Sequence, residues 1–131
     1  MSQNQGLNPG GIAPPFSTYS HGVLVPPGAR RLYVSGQVGV RPDGTLAEGF
    51  EAQAAQAWEN LLAVLAEADM GAGDLVKITA LLTRPRDVPA YRAVRDRCLG
   101  EVRPASTLMI VAGLANEDWL IEVEAVAARA P

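Results

Sequence analysis

Cysteine and histidine are nearly absent from this chain, and their absence removes several classes of protein. Cys98 is the only cysteine among 131 residues, so no disulfide can form within the chain and a cysteine-rich metal site is excluded. His21 is the only histidine, whereas a zinc site takes three or more protein ligands, mostly nitrogen or sulfur. The sequence therefore predicts neither a disulfide framework nor a metal centre.

Basic charge and long apolar runs are also scarce. Lys77 is the only lysine, the net charge is -3 and the pI is near 5.1. Nucleic-acid binding needs a basic face that releases counterions from phosphates, so we expect no nucleic-acid partner. No apolar run approaches the roughly 20 residues of a membrane-spanning helix, and the first residues lack the segments of a secretory signal. We expect no membrane partner and a cytoplasmic location.

The composition fits one folded domain after a short lead-in. Hydrophobic residues make up 48% of the chain and are spread evenly. A chain of this length buries roughly two-thirds of its unfolded surface. Residues 1–15 are rich in Gly, Pro, Asn and Gln, which predicts a flexible lead-in. We therefore assign residues 16–131 to a single domain.

The hydrophobic pattern predicts elements in the order β-β-α-β-α-β-β. Apolar residues recur at helical spacing from Phe50 to Ala68, and this pattern is the longest in the chain. Alternating or continuous apolar runs predict the strands. The predicted helices are 49–70 and 88–99, and the predicted strands are 19–25, 31–40, 75–83, 107–111 and 119–128.

The strand predicted at 75–83 is apolar on both faces, apart from Lys77 and Thr79. Two helices can cover only one face of the sheet, and large apolar patches are rarely left in contact with water. A symmetric homo-oligomer is the simplest way to cover the second face.

The C-terminal third carries the most distinctive motifs. Pro104-Ala105-Ser106-Thr107 leads into one strand, and Ile121-Glu122-Val123-Glu124-Ala125 forms the next. Together with Ser35-Gly36-Gln37 and Gly73-Asp74-Leu75-Val76-Lys77, in this order and spacing, they make the chain from Ala13 onward resemble the Rid family (reactive intermediate deaminases, also called YjgF). The resemblance adds a fold, an assembly and an activity to the expectations.

The resemblance implies an α/β (α+β) domain of the chorismate-mutase-like type, with a mixed sheet and two helices on one face. It also implies a homotrimer that holds a small-molecule ligand in each cleft between subunits and needs no cofactor. Deaminating members of the family hydrolyse enamine and imine intermediates to 2-oxo acids and ammonia. Their conserved glutamate, which corresponds to Glu122, positions or activates the attacking water.

Three positions depart from the family pattern. Leu108 replaces a smaller residue, Arg92 stands where many members carry an asparagine, and the third departure concerns the family's arginine. Members usually read Pro-Ala-Arg-Ser, and the arginine binds the substrate carboxylate through two hydrogen bonds. Ser106 stands at that position. A serine hydroxyl lacks both the charge and the second donor, and losing such a pair costs about 1.5–3 kcal/mol of binding. The sequence therefore predicts that ordinary 2-aminoacrylate deamination is not the reaction.

Two residues have alternative interpretations. Glu122 lies inside an apolar strand, where a partly desolvated carboxylate suits a general base; alternatively, Glu122 and Glu124 form a solvated strand edge. Arg92 could reach the cleft and replace the missing arginine; alternatively, it pairs with Asp96 at the i, i+4 spacing of a helix face. The predicted catalytic residue is Glu122, and the predicted substrate-binding residues are Ser106, Thr107, Ser35, Gly36, Tyr19, Leu108 and Arg92.

Three functions follow from these residues. The first is hydrolytic chemistry on a small enamine- or imine-related metabolite that lacks the carboxylate. The second is a non-catalytic module that binds a metabolite or a protein. The third is an active imine or enamine deaminase that uses Arg92 as the substitute. The ribonuclease activity sometimes attributed to the family is poorly matched by the acidic charge balance.

Overall fold

A computed structural model describes residues 3–131, and residues 1 and 2 of the predicted lead-in lie outside it. The described chain contains two α-helices and six strands. The helices are α1 (Phe50–Glu67) and α2 (Val88–Leu99). The strands are β1 (Gln5–Leu7), β2 (Gly22–Leu24), β3 (Arg30–Val38), β4 (Leu75–Leu82), β5 (Ala105–Ile110) and β6 (Ile121–Arg129).

Four of the strands form the main sheet, in the order β3-β6-β4-β5. The last strand, β6, runs antiparallel to both of its neighbours, whereas β4 and β5 are parallel. Parallel pairing requires a crossover connection, and α2 supplies it between β4 and β5. The predicted α+β fold, with a mixed sheet and two helices, is confirmed.

The core lies between the helices and one face of this sheet. Ile121 and Val123 of β6 are fully buried, and so are Trp58 and Leu61 of α1. The helical spacing of the apolar residues in α1 puts them on the side that packs against the alternating apolar residues of the strands. Each large side chain buried in this way stabilises the fold by about 1.5–3 kcal/mol.

The second face of the sheet, which we call the open face, carries exposed and half-buried side chains. Tyr33 of β3 is 72% exposed and Met109 of β5 is 45% exposed. The strand registers place these residues on the open face with Lys77, Thr79, Leu81, Thr107, Glu122, Glu124 and Val126.

The structure differs from the predicted lead-in. Gln5–Leu7 forms β1, which pairs antiparallel with β2. The side-chain amide of Asn4 holds this segment to the main sheet by donating to the carbonyl of Ala128 at 2.9 Å. A composition rich in Gly and Pro does not reveal this strand, because its pairing depends on partners distant in sequence.

Two predicted strands begin later in the structure. The strand predicted at 19–25 is confined to β2, because the N–H of Ser20 turns aside to donate to the carbonyl of Pro104 at 3.1 Å. The strand predicted from residue 119 begins at Ile121, because the N–H of Trp119 closes a turn on Asn116. In both cases the backbone N–H forms a hydrogen bond outside the pairing of the predicted strand, so the strand does not include that residue. No helix within residues 3–131 has the length and apolar character needed to cross a membrane.

Candidate functional site

Glu122 and Gly36 lie against one another where β6 pairs with β3. The pairing joins Val34 to Ala125 and Val38 to Glu122, with a bulge that contains Gly36. A β-carbon added to Gly36 would lie 2.6 Å from Cδ of Glu122. Only glycine leaves room for the Glu122 carboxylate in this position. The structure therefore brings together two of the predicted site residues.

The carboxylate of Glu122 is half-buried and available to a ligand. Its side chain lies on the open face between its strand partners, Val38 and Leu81. Within residues 3–131, Glu122 forms neither a side-chain hydrogen bond nor an ion pair. Glu124 follows on the same face and is exposed. Ser35 is also exposed, and its carbonyl accepts a hydrogen bond from Nε2 of Gln37 at 3.1 Å.

Ser106 and Thr107 lie on opposite sides of β5. Paired residues of parallel strands point the same way, and Ser106 pairs with Ile78, which is buried under the helices. Leu108 follows Ser106 on that side and packs against the core. Thr107 points to the open face, where its hydroxyl accepts a hydrogen bond from Nζ of Lys77 at 2.7 Å. The two hydroxyls of one chain therefore face opposite sides of the sheet.

Within one chain, Ser106 is also far from Glu122. Ser106 lies beside Ile78 and Glu122 lies beside Leu81, three positions farther along β4. At standard strand dimensions the two residues are roughly 10 Å apart along the strands and roughly 10 Å apart across them. They also face opposite sides of the sheet. No single small ligand reaches both residues of the same chain.

Tyr19 lies in a segment beside the start of β5. We call residues 16–21 the strap. Its tyrosine hydroxyl accepts a hydrogen bond from the N–H of Phe16 at 3.1 Å, and its ring meets the ring of His21 edge to face at 5.9 Å. Ser20, the next residue, is fixed to Pro104 and forms a bridge to Ala105. Tyr19 is therefore held close to the strand that carries Ser106.

Arg92 is exposed on α2, and the ion pair expected with Asp96 is not formed. Oδ1 of Asp96 accepts instead from Oγ1 of Thr18 at 2.5 Å and from Nε of Arg95 at 3.0 Å. Burial opposes ionisation of Asp96, but the hydrogen bonds from Thr18 and Arg95 outweigh it and lower the pKa of this carboxyl. In the part of the chain that the structure describes, Arg92 has no ion-pair partner.

Two buried polar residues were missed by the sequence reasoning. Arg95 is 3% exposed and joins α2 to the strap. Gln53, also 3% exposed, joins α1 to the turn before β6. Each occupies a helix position that follows the spacing of the buried apolar residues. Arg95, for example, lies four residues from both Tyr91 and Leu99. A polar residue within an apolar stripe is the sequence feature that could have indicated both of them.

A cavity of about 270 Å³ lies elsewhere, between the β1–β2 hairpin and the segment before β5. Ser20, Arg103 and Pro104 contribute to its wall, and none of the predicted site residues does. Within residues 3–131, no group of three or more His, Cys, Asp or Glu side chains is arranged to hold a metal ion.

Comparison with known proteins places this chain in a family. The profile of a family described as Endoribonuclease L-PSP matches residues 11–129. The human 2-iminobutanoate/2-iminopropanoate deaminase is 35% identical over 125 residues, which are 94% of this chain and 85% of the human protein. YyfB of Yersinia pestis, a Rid-family protein of unknown function, superposes with a TM-score of 0.85 at 30% identity, covering 95% of this chain and 97% of YyfB. Escherichia coli TdcF, solved with bound serine, superposes at 0.73 with 30% identity and 94% coverage of both chains.

Proposed function

Because this chain belongs to the Rid family, we propose that it hydrolyses a small imine or enamine that carries no carboxylate, in a pocket between two copies. The observation that carries the proposal is the free Glu122 carboxylate over the Gly36 backbone. The human relative is named as an imine deaminase, which supports this class of reaction.

The chemistry requires a base for water and a way to release the amine. In our proposal, Glu122 accepts a proton from the attacking water as the water oxygen bonds to the imine carbon. Glu122 then returns this proton to the nitrogen, which completes a carbinolamine. The carbinolamine hydroxyl gives its proton to the nitrogen, by way of Glu122, as the carbon–nitrogen bond breaks, and the products are ammonia or an amine and a carbonyl compound. Ser35 and Gly36 hold the substrate near Glu122 through their backbone.

The other wall of the pocket selects the substrate. Ser106 offers one neutral hydroxyl, and Leu108 beside it is apolar and half-buried. A carboxylate bound there would lose its water without gaining a charged partner, which is unfavourable by about 1.5–3 kcal/mol. A neutral substrate meets no such penalty. Tyr19 closes this wall next to β5.

Two copies are needed because the two walls lie on opposite faces of one chain. We propose that the open face of one copy supplies Glu122 and Gly36, and that the β5 edge of a neighbour, at Ser106, completes the cleft. A homotrimer would contain three such clefts. This arrangement agrees with the exposed Tyr33 and Met109 on the open face.

The test compares the hydrolysis of two imines above the uncatalysed rate. One imine carries a carboxylate and is generated by an amino-acid oxidase, and the other is generated from a simple amine by an amine oxidase. We expect the wild type to act on the neutral imine, and Ser106→Arg to gain about tenfold or more on the carboxylate-bearing imine. Ala112→Arg is the control, because it adds the same charge at an exposed position just beyond the end of β5 and should gain nothing.

The other possible results identify the rival functions. Efficient hydrolysis of the carboxylate-bearing imine by the wild type, lost in Arg92→Ala, would show that Arg92 replaces the missing arginine. Saturable ligand binding without turnover, unchanged in Glu122→Gln, would indicate a non-catalytic binding module. RNA is not proposed as a substrate, because a net charge of -3 and a single lysine are a poor match for phosphates.

A further inference from the structure

The guanidinium of Arg95 lies between α2 and the strap and makes a set of directed contacts there. Nη2 donates to Oγ of Ser17 at 2.8 Å and to Oγ1 of Thr18 at 2.6 Å, while Nε donates to Asp96. The guanidinium carbon lies 5.8 Å from the centre of the Tyr91 ring. A side chain on the helix thereby fixes two consecutive residues of the strap.

Thr18, Asp96 and Arg95 form a closed ring of hydrogen bonds. The Thr18 hydroxyl accepts from Arg95 and donates to Oδ1 of Asp96, which also accepts from Arg95. Because each member has a partner, the guanidinium can remain buried without an unpaired charge. Burial raises the pKa of Tyr91 to about 12, so the ring beneath Arg95 stays neutral.

The residues after Thr18 connect this network to the candidate site. Tyr19 comes directly after Thr18, and Ser20 is bound to Pro104, which is two residues before Ser106. Arg95 and Pro104 therefore hold the two sides of Tyr19. The backbone on both sides of Tyr19 is therefore fixed relative to α2 and to the start of β5.

A purely stabilising role is a poor explanation for this arrangement. Buried ion pairs contribute little net stability, since desolvating the charges offsets their attraction, and an apolar residue of similar volume often does as well. The planar set of N–H donors on an arginine instead fixes the relative positions of the groups that accept from it. Three of its contacts, with Ser17, Thr18 and Asp96, determine where the strap lies relative to α2.

We propose that Arg95 is a positioning residue: through Ser17, Thr18 and Asp96 it fixes the strap so that Tyr19 forms one wall of the substrate cleft. The claim rests on the proposed function, because it assigns the position of Tyr19 to substrate binding. Arg95 itself does not touch the substrate. Its loss should therefore weaken binding and leave the chemical step at Glu122 nearly unchanged.

The experiment measures the position of the strap and the kinetics separately. Arg95→Met keeps the length and burial of the side chain and removes its donors, and Arg95→Lys keeps the charge but loses the fork. Arg97→Met, an exposed arginine on the same helix, is the matched control. Hydrogen exchange at the Ser20 amide, which is bound to Pro104, reports on the strap without any substrate.

In Arg95→Met we expect exchange at Ser20 to quicken and KM for the neutral imine to rise, each by about tenfold, with kcat within about threefold of the wild type. Arg95→Lys should fall between the wild type and Arg95→Met, and Arg97→Met should match the wild type. If Arg95→Met does not fold, Thr18→Val, which removes the strap's own hydroxyl from the network, should give the same two changes.

Unchanged exchange at Ser20 in a folded Arg95→Met would overturn the proposal, and so would faster exchange with an unchanged KM. An equal loss in kcat would also overturn it, because a positioning role for binding predicts a change in KM. A wild type with no activity on either imine would refute the proposed function instead, and Ser20 exchange would still decide whether Arg95 holds the strap.

Discussion

Gly36 and Glu122 depend on each other at the scale of single atoms. The Glu122 side chain occupies the space that any larger residue at position 36 would need. We predict that Gly36→Ala displaces the carboxylate and lowers kcat/KM by about a hundredfold, because a displacement of roughly 1 Å in an active site has effects of that size. The fold should survive, since the Glu122 side chain can turn toward solvent.

Steady-state kinetics and thermal unfolding together check this prediction. Gly113→Ala is the control, because nothing lies within 4 Å of the position of its added carbon. It should match the wild type in both measurements. A Gly36→Ala protein with full activity would show that the position of Glu122 does not matter for the reaction.

At the scale of elements, the long periodic segments were predictable and the short strands were not. The predicted bounds of α2 agree with the structure, and those of α1 differ by only a few residues. Their apolar spacing repeats over several turns, so the signal accumulates within the element. The three residues of β1 carry no such repeat, and their pairing with β2 depends on the tertiary structure.

Part of the candidate site was likewise predictable from the sequence, and part was not. The motif around Glu122 and the Gly36 position could be predicted, and the structure brings these two residues together. The opposite orientation of Ser106 and Thr107 could not, because it depends on the register of β5 on β4. Spacing alone suggested an ion pair of Arg92 with Asp96 as the alternative to a role in the cleft, and the buried Arg95 forms that pair instead.

Gln53 joins α1 to the turn that leads into β6. Its Oε1 accepts from the N–H of Leu120 at 2.8 Å, and its Nε2 donates to the carbonyl of Asp118 at 3.2 Å. Gln53→Leu would leave both backbone groups without these partners. We predict a loss of about 1–3 kcal/mol in the free energy of unfolding, measured by chemical denaturation.

The control for this prediction is Glu59→Leu, an exposed position on the same helix. Its change in free energy should stay within about 0.5 kcal/mol. Equal effects of the two substitutions would mean that the turn does not depend on Gln53.

At the scale of the whole molecule, we predict that the open face lies between copies. Tyr33 is 72% exposed in the single chain, so Tyr33→Asp should not disturb the folding of one copy. If the open face lies between copies, the new charge is buried there and association fails. We predict that sedimentation gives three times the 13.8 kDa chain mass for the wild type and the mass of one chain for Tyr33→Asp.

Leu24→Asp is the matched control, because Leu24 is 57% exposed on β2, outside the main sheet. It should sediment as the wild type does. A wild type that sediments as a single chain would remove the basis for a site shared between copies.

The measurement that tests the central claim most directly mixes two inactive variants. Glu122→Gln removes the base from one wall of the cleft, and Ser106→Phe blocks the other wall. Each variant alone should lack imine hydrolysis. Co-expressed, they should regain activity, because some clefts then combine the intact Glu122 of one copy with the intact Ser106 of another. No regain of activity in mixed oligomers would contradict the shared cleft.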